Sequence, residues 1–206
     1  MDMQGNRSLA ISQQHAWDAL NDPEVLKACI PGCDKVEASG DNQYAVGMAL
    51  KIGPVAARFA GKILLSDIVA PESYKINFEG QGGVAGFGKG TAEVRLTPSG
   101  TGCELDYKVH ATVGGKVAQL GQRLIDGTAK SMAEDFFKRF DEAMQKAHPE
   151  AYAARDAAQA AAAEAPAAES GGTPGVPGAP AQGGGIPTWV WVAGAAVLLA
   201  LWWFNR

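Results

Sequence analysis

Hydrophobic and polar residues alternate along five runs of this chain. Tyr44, Val46, Met48, Leu50 and Ile52 share one face of an extended segment. Val55, Ala57, Phe59, Gly61, Ile63 and Leu65 share a face of the next, with Arg58 and Lys62 pointing away. Tyr74, Ile76 and Phe78 alternate with Lys75, Asn77 and Glu79; Gly88, Gly90, Ala92, Val94 and Leu96 alternate with Lys89, Thr91, Glu93 and Arg95. Cys103, Leu105, Tyr107, Val109, Ala111 and Val113 alternate with Glu104, Asp106, Lys108, His110 and Thr112. A period of two predicts strands with one dry and one wet face, the pattern of an antiparallel sheet. Gly53-Pro54, Ala70-Pro71 and Pro98-Ser99-Gly100 mark the turns.

From Lys116 to His148 the period lengthens to three and four, through Val117, Leu120, Leu124, Ile125, Met132, Phe136, Phe140 and Met144. This predicts one long amphipathic helix laid on the dry face. Upstream, Arg7 to Ile11 reads as a short first strand. Ser12 caps a helix through His15, Trp17 and Leu20. Asp22-Pro23 starts a second short helix through Val25, Leu26 and Ile30, and Pro31-Gly32 ends it. The order is strand, two short helices, about six strands, one long helix. That is an α+β domain in which a curved antiparallel sheet grips a long C-terminal helix, and such a sheet encloses a cavity that the short helices close at one end.

The pattern breaks again near the C-terminus. Residues 151–168 are rich in Ala, and residues 166–185 are dense in Pro and Gly, which cannot build a core. The domain is expected over residues 1–148, with a flexible Ala/Pro/Gly-rich linker over residues 149–185. About 35 residues of coil span roughly 30–35 Å. From Ile186 to Phe204 the chain carries no charge, with Trp189 and Trp191 at one end and Trp202 and Trp203 at the other. At 1.5 Å per residue the run covers roughly 27 Å. Residues 186–206 therefore read as a C-terminal transmembrane anchor with aromatic belts. The N-terminus has no signal-peptide organisation. The expectation is a single-pass protein of the cell inner membrane with its globular domain in the cytoplasm.

A net charge of −4 over 206 residues gives no basic excess for nucleic acid. Cys29, Cys33 and Cys103 are an odd number without a completing His or Cys set, and read as buried thiols rather than disulfide or metal ligands. His15, His110 and His148 fall on different elements, so no catalytic constellation is evident. Gly80-Gln81-Gly82-Gly83-Val84-Ala85 matches a dinucleotide-binding pattern in letters, but a strand rather than a helix follows it. Gly82, Gly83, Gly86 and Gly88 leave two readings open, a loop that gates a cavity or a plain hairpin loop with bulges. Gly121 and Gly127, inside the long helix, leave two more: close packing on the sheet, or space for a ligand beside Gly121, Leu124, Thr128 and Met132. Gly88, Gly90 and Ala92 on the dry face suggest spare volume too. Lys116, Arg123, Lys130, Lys138 and Arg139 with Asp126, Glu134 and Asp135 read as the helix's solvated charged face.

The segment from Val113 to Gly127, VGGKVAQLGQRLIDG, is similar to the signature of the CoxG-like proteins associated with carbon monoxide dehydrogenase. So are Gly86-Phe87-Gly88-Lys89-Gly90-Thr91-Ala92, the opening from Met3 to Trp17 and the turn Ile30-Pro31-Gly32-Cys33. The resemblance covers roughly residues 1–145. It implies a START-like, helix-grip domain that holds apolar ligands between sheet and helix. It also implies a partner: carbon monoxide dehydrogenase or a related molybdenum hydroxylase, attached to the cytoplasmic membrane. The expected function is that of a membrane-tethered adaptor rather than an enzyme. Its expected ligand is a quinone, menaquinone or ubiquinone, exchanged with the lipid pool. The cavity is expected among Trp17, Leu26, Met48, Phe59, Phe78, Phe87, Leu124, Met132 and Phe136. The alternatives are a recruitment factor with a filled core, and an enzyme like the cyclases and hydrolase-like members of the same fold.

Overall fold

The structure, a computed structural model, describes residues 1–164. Residues 165–185 of the expected linker and the expected anchor, residues 186–206, lie outside the described residues. No helix among those described is long and apolar enough to cross a membrane.

Seven strands form one antiparallel sheet: β1 (Asp2–Leu9), β2 (Cys33–Gly40), β3 (Gln43–Ile52), β4 (Val55–Val69), β5 (Ser73–Gln81), β6 (Phe87–Ser99) and β7 (Gly102–Gly114). Their order across the sheet is β1-β7-β6-β5-β4-β3-β2. Every neighbour from β2 to β7 is a sequential hairpin, and only β1 returns, to pair with β7. The register aligns the dry positions read from the sequence. Tyr44 lies opposite Ile63, Ile63 opposite Phe78, Phe78 opposite Gly90 and Gly90 opposite Ala111.

Helices α1 (Gln13–Leu20) and α2 (Pro23–Cys29) join the two edge strands β1 and β2. Ser12 Oγ accepts from the His15 amide at 3.2 Å, and Asp22 Oδ1 accepts from the Glu24 amide at 2.8 Å with Pro23 in the first helical position. Helix α3 (Gln122–Ala147) buries Ile125, Phe140 and Met144 and keeps Arg123, Asp126, Lys130, Glu134, Asp135, Lys138 and Arg139 exposed. It is followed by α4 (Pro149–Glu164).

Four expectations are corrected. The first strand is Asp2–Leu9 rather than Arg7 to Ile11, because the whole of it pairs with β7 from Asp2 opposite His110 to Leu9 opposite Cys103. Gly5 and Arg7 sit at inward positions and hide its alternation. The strand β2 was not located from the pattern, since Val36 is its single buried residue. The long helix begins at Gln122, not Lys116; Ala118–Leu120 is a 3-10 turn, and Gly121 stands before the helix at φ +90° rather than inside it. Finally, Pro149–Glu164 is helix, not linker. Tyr152 of α4 is 2% exposed, and its hydroxyl donates to Asp141 Oδ1 at 2.6 Å. The domain therefore extends past residue 148.

The buried residues form two clusters. The larger joins Leu9 and Ile11, α1, Leu96 and Leu105 to Phe140, Met144 and Tyr152. The smaller is Ala85, Val117 and Ile125, flanked by Ile52, Val55, Phe59 and Val113. Several dry-face residues belonging to neither cluster, among them Tyr44, Met48, Ile63, Ile76 and Phe78, are only half-buried. The concave face is not filled along its whole length.

Candidate functional site

A cavity of about 240 Å³ opens on the concave face where the cores leave it unfilled. Its floor is the sheet: Val36, Tyr44, Val46, Ile63, Leu65, Tyr74, Ile76, Val94, Leu105 and Tyr107. Helix α3 roofs it with Phe136 and Phe137, and Leu20, Asn21, Leu26 and Ile30 close it from α1 and α2. No charged side chain lines it. Asn21 already donates its side-chain amide to the Trp17 carbonyl at 2.8 Å.

The polar groups that remain are three phenols. The hydroxyls of Tyr44, Tyr74 and Tyr107 have no hydrogen-bond partner among the described residues, in contrast to that of Tyr152, and none is both sealed off and unsatisfied. Tyr74 is 5% exposed and stands edge-on to Trp17, with ring centroids 5.3 Å apart. Burial, reinforced by Tyr44 nearby, holds its phenol well above the usual range, so it remains a neutral donor at any physiological pH. A buried aromatic with a polar end normally finds a partner. These hydroxyls are positioned to give a hydrogen bond to something that enters the cavity.

The nine residues expected to line a cavity are not gathered into one. Leu26 and Phe136 line this one. Trp17 lies behind Tyr74. Met48 pairs with Phe59 across β3 and β4, and Phe59 flanks the smaller cluster with its ring over Gly82. The Phe78 ring covers Gly90. Met132 is half-buried on α3. Phe87 and Leu124 are outward residues, 44% and 40% exposed. Tyr44, Tyr74 and Tyr107 were missed as site residues, although the alternation had put all three on the dry face. The available signal was the tyrosine hydroxyl itself, a polar group on a face that should bury only carbon.

The glycine-rich loop is a short 3-10 turn, Gly83–Ala85. The Gly82 amide donates to the Gly86 carbonyl at 2.8 Å, and the Val117 amide donates to the Ala85 carbonyl at 3.0 Å. Gly86, at φ +124°, packs its backbone on Gly114 and Gly115, where a Cβ would collide. The loop is pinned to the segment before α3. Of the small residues on the dry face, Gly88 faces open space, whereas Gly90 is filled by Phe78 and the backbone of β7. Gly127 meets nothing, so neither close packing nor a lined ligand space accounts for it.

Cys29 and Cys103 are buried thiols, but Cys33 is half-buried, and all three are free. His110 pairs with Asp2 at 2.6 Å on the sheet surface, and His15 stacks on His148 at 4.2 Å. A larger space, about 820 Å³, is an open furrow across the polar face. Its charges already pair with one another, Lys75 with Asp67 at 3.0 Å and with Glu93 at 3.6 Å.

A curved antiparallel sheet closed by a long C-terminal helix over an apolar cavity defines a START-like, helix-grip domain. Residues 5–145 match the family model of CoxG, the G-type component of carbon monoxide dehydrogenase. The chain belongs to that family. It is 35% identical to a conserved protein from Geobacillus kaustophilus, with a TM-score of 0.67 over 71% of this chain and 96% of that one. Two more distant structures share the fold. Protein Ms6760 from Mycobacterium smegmatis is 17% identical, with a TM-score of 0.54 over 71% of this chain and 92% of that one. The Zhui aromatase/cyclase from Streptomyces sp. R1128 is 12% identical, with a TM-score of 0.51 over 71% and 95%. No curated protein matches the chain. Family and fold together suggest a ligand-binding role.

Proposed function

We propose that this protein binds a quinone, menaquinone or ubiquinone, in the cavity beneath α3. It acts as a membrane-tethered adaptor between the quinone pool and a carbon monoxide dehydrogenase or related molybdenum hydroxylase. It performs no reaction of its own. The observation that carries this reading is the cavity: apolar walls, no charge, and unpartnered phenols including the buried Tyr74. A quinone matches it on each count. Its ring is uncharged, its carbonyls accept hydrogen bonds, and its isoprenoid tail costs about 0.8 kcal/mol per CH₂ to leave in water. The volume lies below the roughly 300–1,000 Å³ of ordinary ligand pockets. It holds a ring or a short length of chain, and the tail would run along the half-buried concave residues towards Phe78 and Met48. The family's name supplies the partner, and the apolar run from Ile186 to Phe204 supplies the tether.

Native mass spectrometry with lipid extraction, on the full chain purified from a quinone-producing host, tests this. A stoichiometric quinone supports the carrier role. A stable, lipid-free protein that still binds the hydroxylase reduces the function to recruitment.

A further inference from the structure

One end of the domain is assembled from four segments: the β3–β4 turn, the 3-10 turn after β5, the loop after β7 and the first turn of α3. Backbone contacts hold them together. The Val117 amide donates to the Ala85 carbonyl, Gly86 packs on Gly114 and Gly115, and Leu124 lies against Gly53. This end exposes carbon where a water-facing loop should not. Val84, at its tip, is 85% exposed, and Phe87 and Leu124 are outward as well. Its charge is of one sign. Residues 51–56, 82–88 and 114–124 contain Lys51, Lys116 and Arg123 and no Asp or Glu, in a chain of net charge −4. None of the three forms an ion pair among the described residues. The nearest acids are already engaged: Asp126 accepts from Gln122 at 2.6 Å, and Glu79 lies opposite Lys89.

We propose that this end of the domain is a membrane-docking surface for anionic lipid, with Val84, Phe87 and Leu124 entering the interfacial layer while Lys51, Lys116 and Arg123 meet the phosphates. Exposed apolar side chains flanked by cations of one sign are what an anionic bilayer surface selects, with each cation worth roughly fivefold in binding. A protein partner would have to offer an apolar socket within an acidic patch; a bilayer offers both everywhere. The inference stands apart from the cavity's occupant. It requires a bilayer but not a quinone, so the two readings fail separately.

The test uses the full chain in nanodiscs of phosphatidylcholine alone, or with roughly 30 mol% phosphatidylglycerol. Hydrogen exchange is read at residues 82–88 and 114–121. The expected result is exchange about tenfold slower in the anionic discs, relieved near 0.5 M salt as screening shortens to a few ångströms. Lys116→Gln and Arg123→Gln should each weaken the protection roughly fivefold, and Val84→Glu should remove it. All three side chains are exposed, so the variants should keep the wild-type melting temperature. Equal exchange in the two discs, or protection that survives Val84→Glu, overturns the proposal. Protection that arises only on adding the hydroxylase overturns it too, and assigns the face to protein docking.

Discussion

Tyr74 combines a ring sealed in the domain with a hydroxyl that no protein group satisfies. Removing that hydroxyl should therefore cost the ligand and not the fold. Tyr74→Phe is expected to weaken a carbonyl-bearing ligand about 5- to 12-fold, the worth of one hydrogen bond, while leaving thermal stability nearly unchanged. Titration with a short-chain quinone, with a hydrocarbon of similar size as control, measures this; equal losses for both would mean the hydroxyl makes no bond. Cys103 has a different consequence. It is 1% exposed, and burial first, then Glu104, pushes its thiol from 9.0 up to about 11. Above pH 9 the unfolded thiol has lost its proton while the folded one keeps it. The unfolded state then binds fewer protons, so stability falls as pH rises from about 9 towards 11. In Cys103→Ala the decline in melting temperature over that window should be shallower than in the wild type, whatever the variant's absolute stability.

Glycine shows where the elements were legible and where they were not. Gly121 and Gly127 look alike in the sequence, six positions apart within one apolar period. The backbone separates them: Gly121 needs φ +90° to turn the chain into α3, whereas Gly127 is helical with open space where a Cβ would go. Gly127→Ala should raise stability by up to ~1 kcal/mol, or about 2–4 °C in melting temperature. Gly121→Ala should lower it. Five central strands and the core of α3 could be read directly, because alternation and the longer period are written in residue type. Strand β1 could not, with Gly5 and Arg7 at its inward positions, nor could β2, an edge strand with Val36 alone buried. The helix α4 was hidden by composition. Its Ala-rich text reads as linker, and Tyr152 alone ties it to the core through burial and Asp141. Replacing a buried aromatic by Ala costs about 3–5 kcal/mol. Tyr152→Ala is expected to show that loss in denaturant melts and to free the amides of α4 to exchange.

At the scale of the molecule, the domain has two cores and a partly empty concave face beside them. The site was half legible for the same reason. Sequence alternation identifies which residues face inward, but not which inward residues meet a neighbour, since that depends on the curvature of the sheet and the tilt of α3. Leu26 and Phe136 fell at the cavity, while Phe59 and Phe78 were drawn into packing over Gly82 and Gly90. An underfilled interior forfeits contacts that a packed one would make. A ligand that fills the space restores them, and it touches the floor strands, α2 and α3 at once. Such a ligand binds the folded state and not the unfolded one, so it stabilises by mass action. At a hundredfold excess over its dissociation constant the gain is about 2.7 kcal/mol, or roughly 5–11 °C for a domain of this size. Full-length protein stripped of lipid and then titrated with a short-chain quinone should show this rise in melting temperature. A carboxylate of equal length should not, because the lining holds no cation to offset the desolvation of its charge. Equal shifts with both would mean that the ligand is recognised as hydrocarbon alone, with no part for the tyrosines.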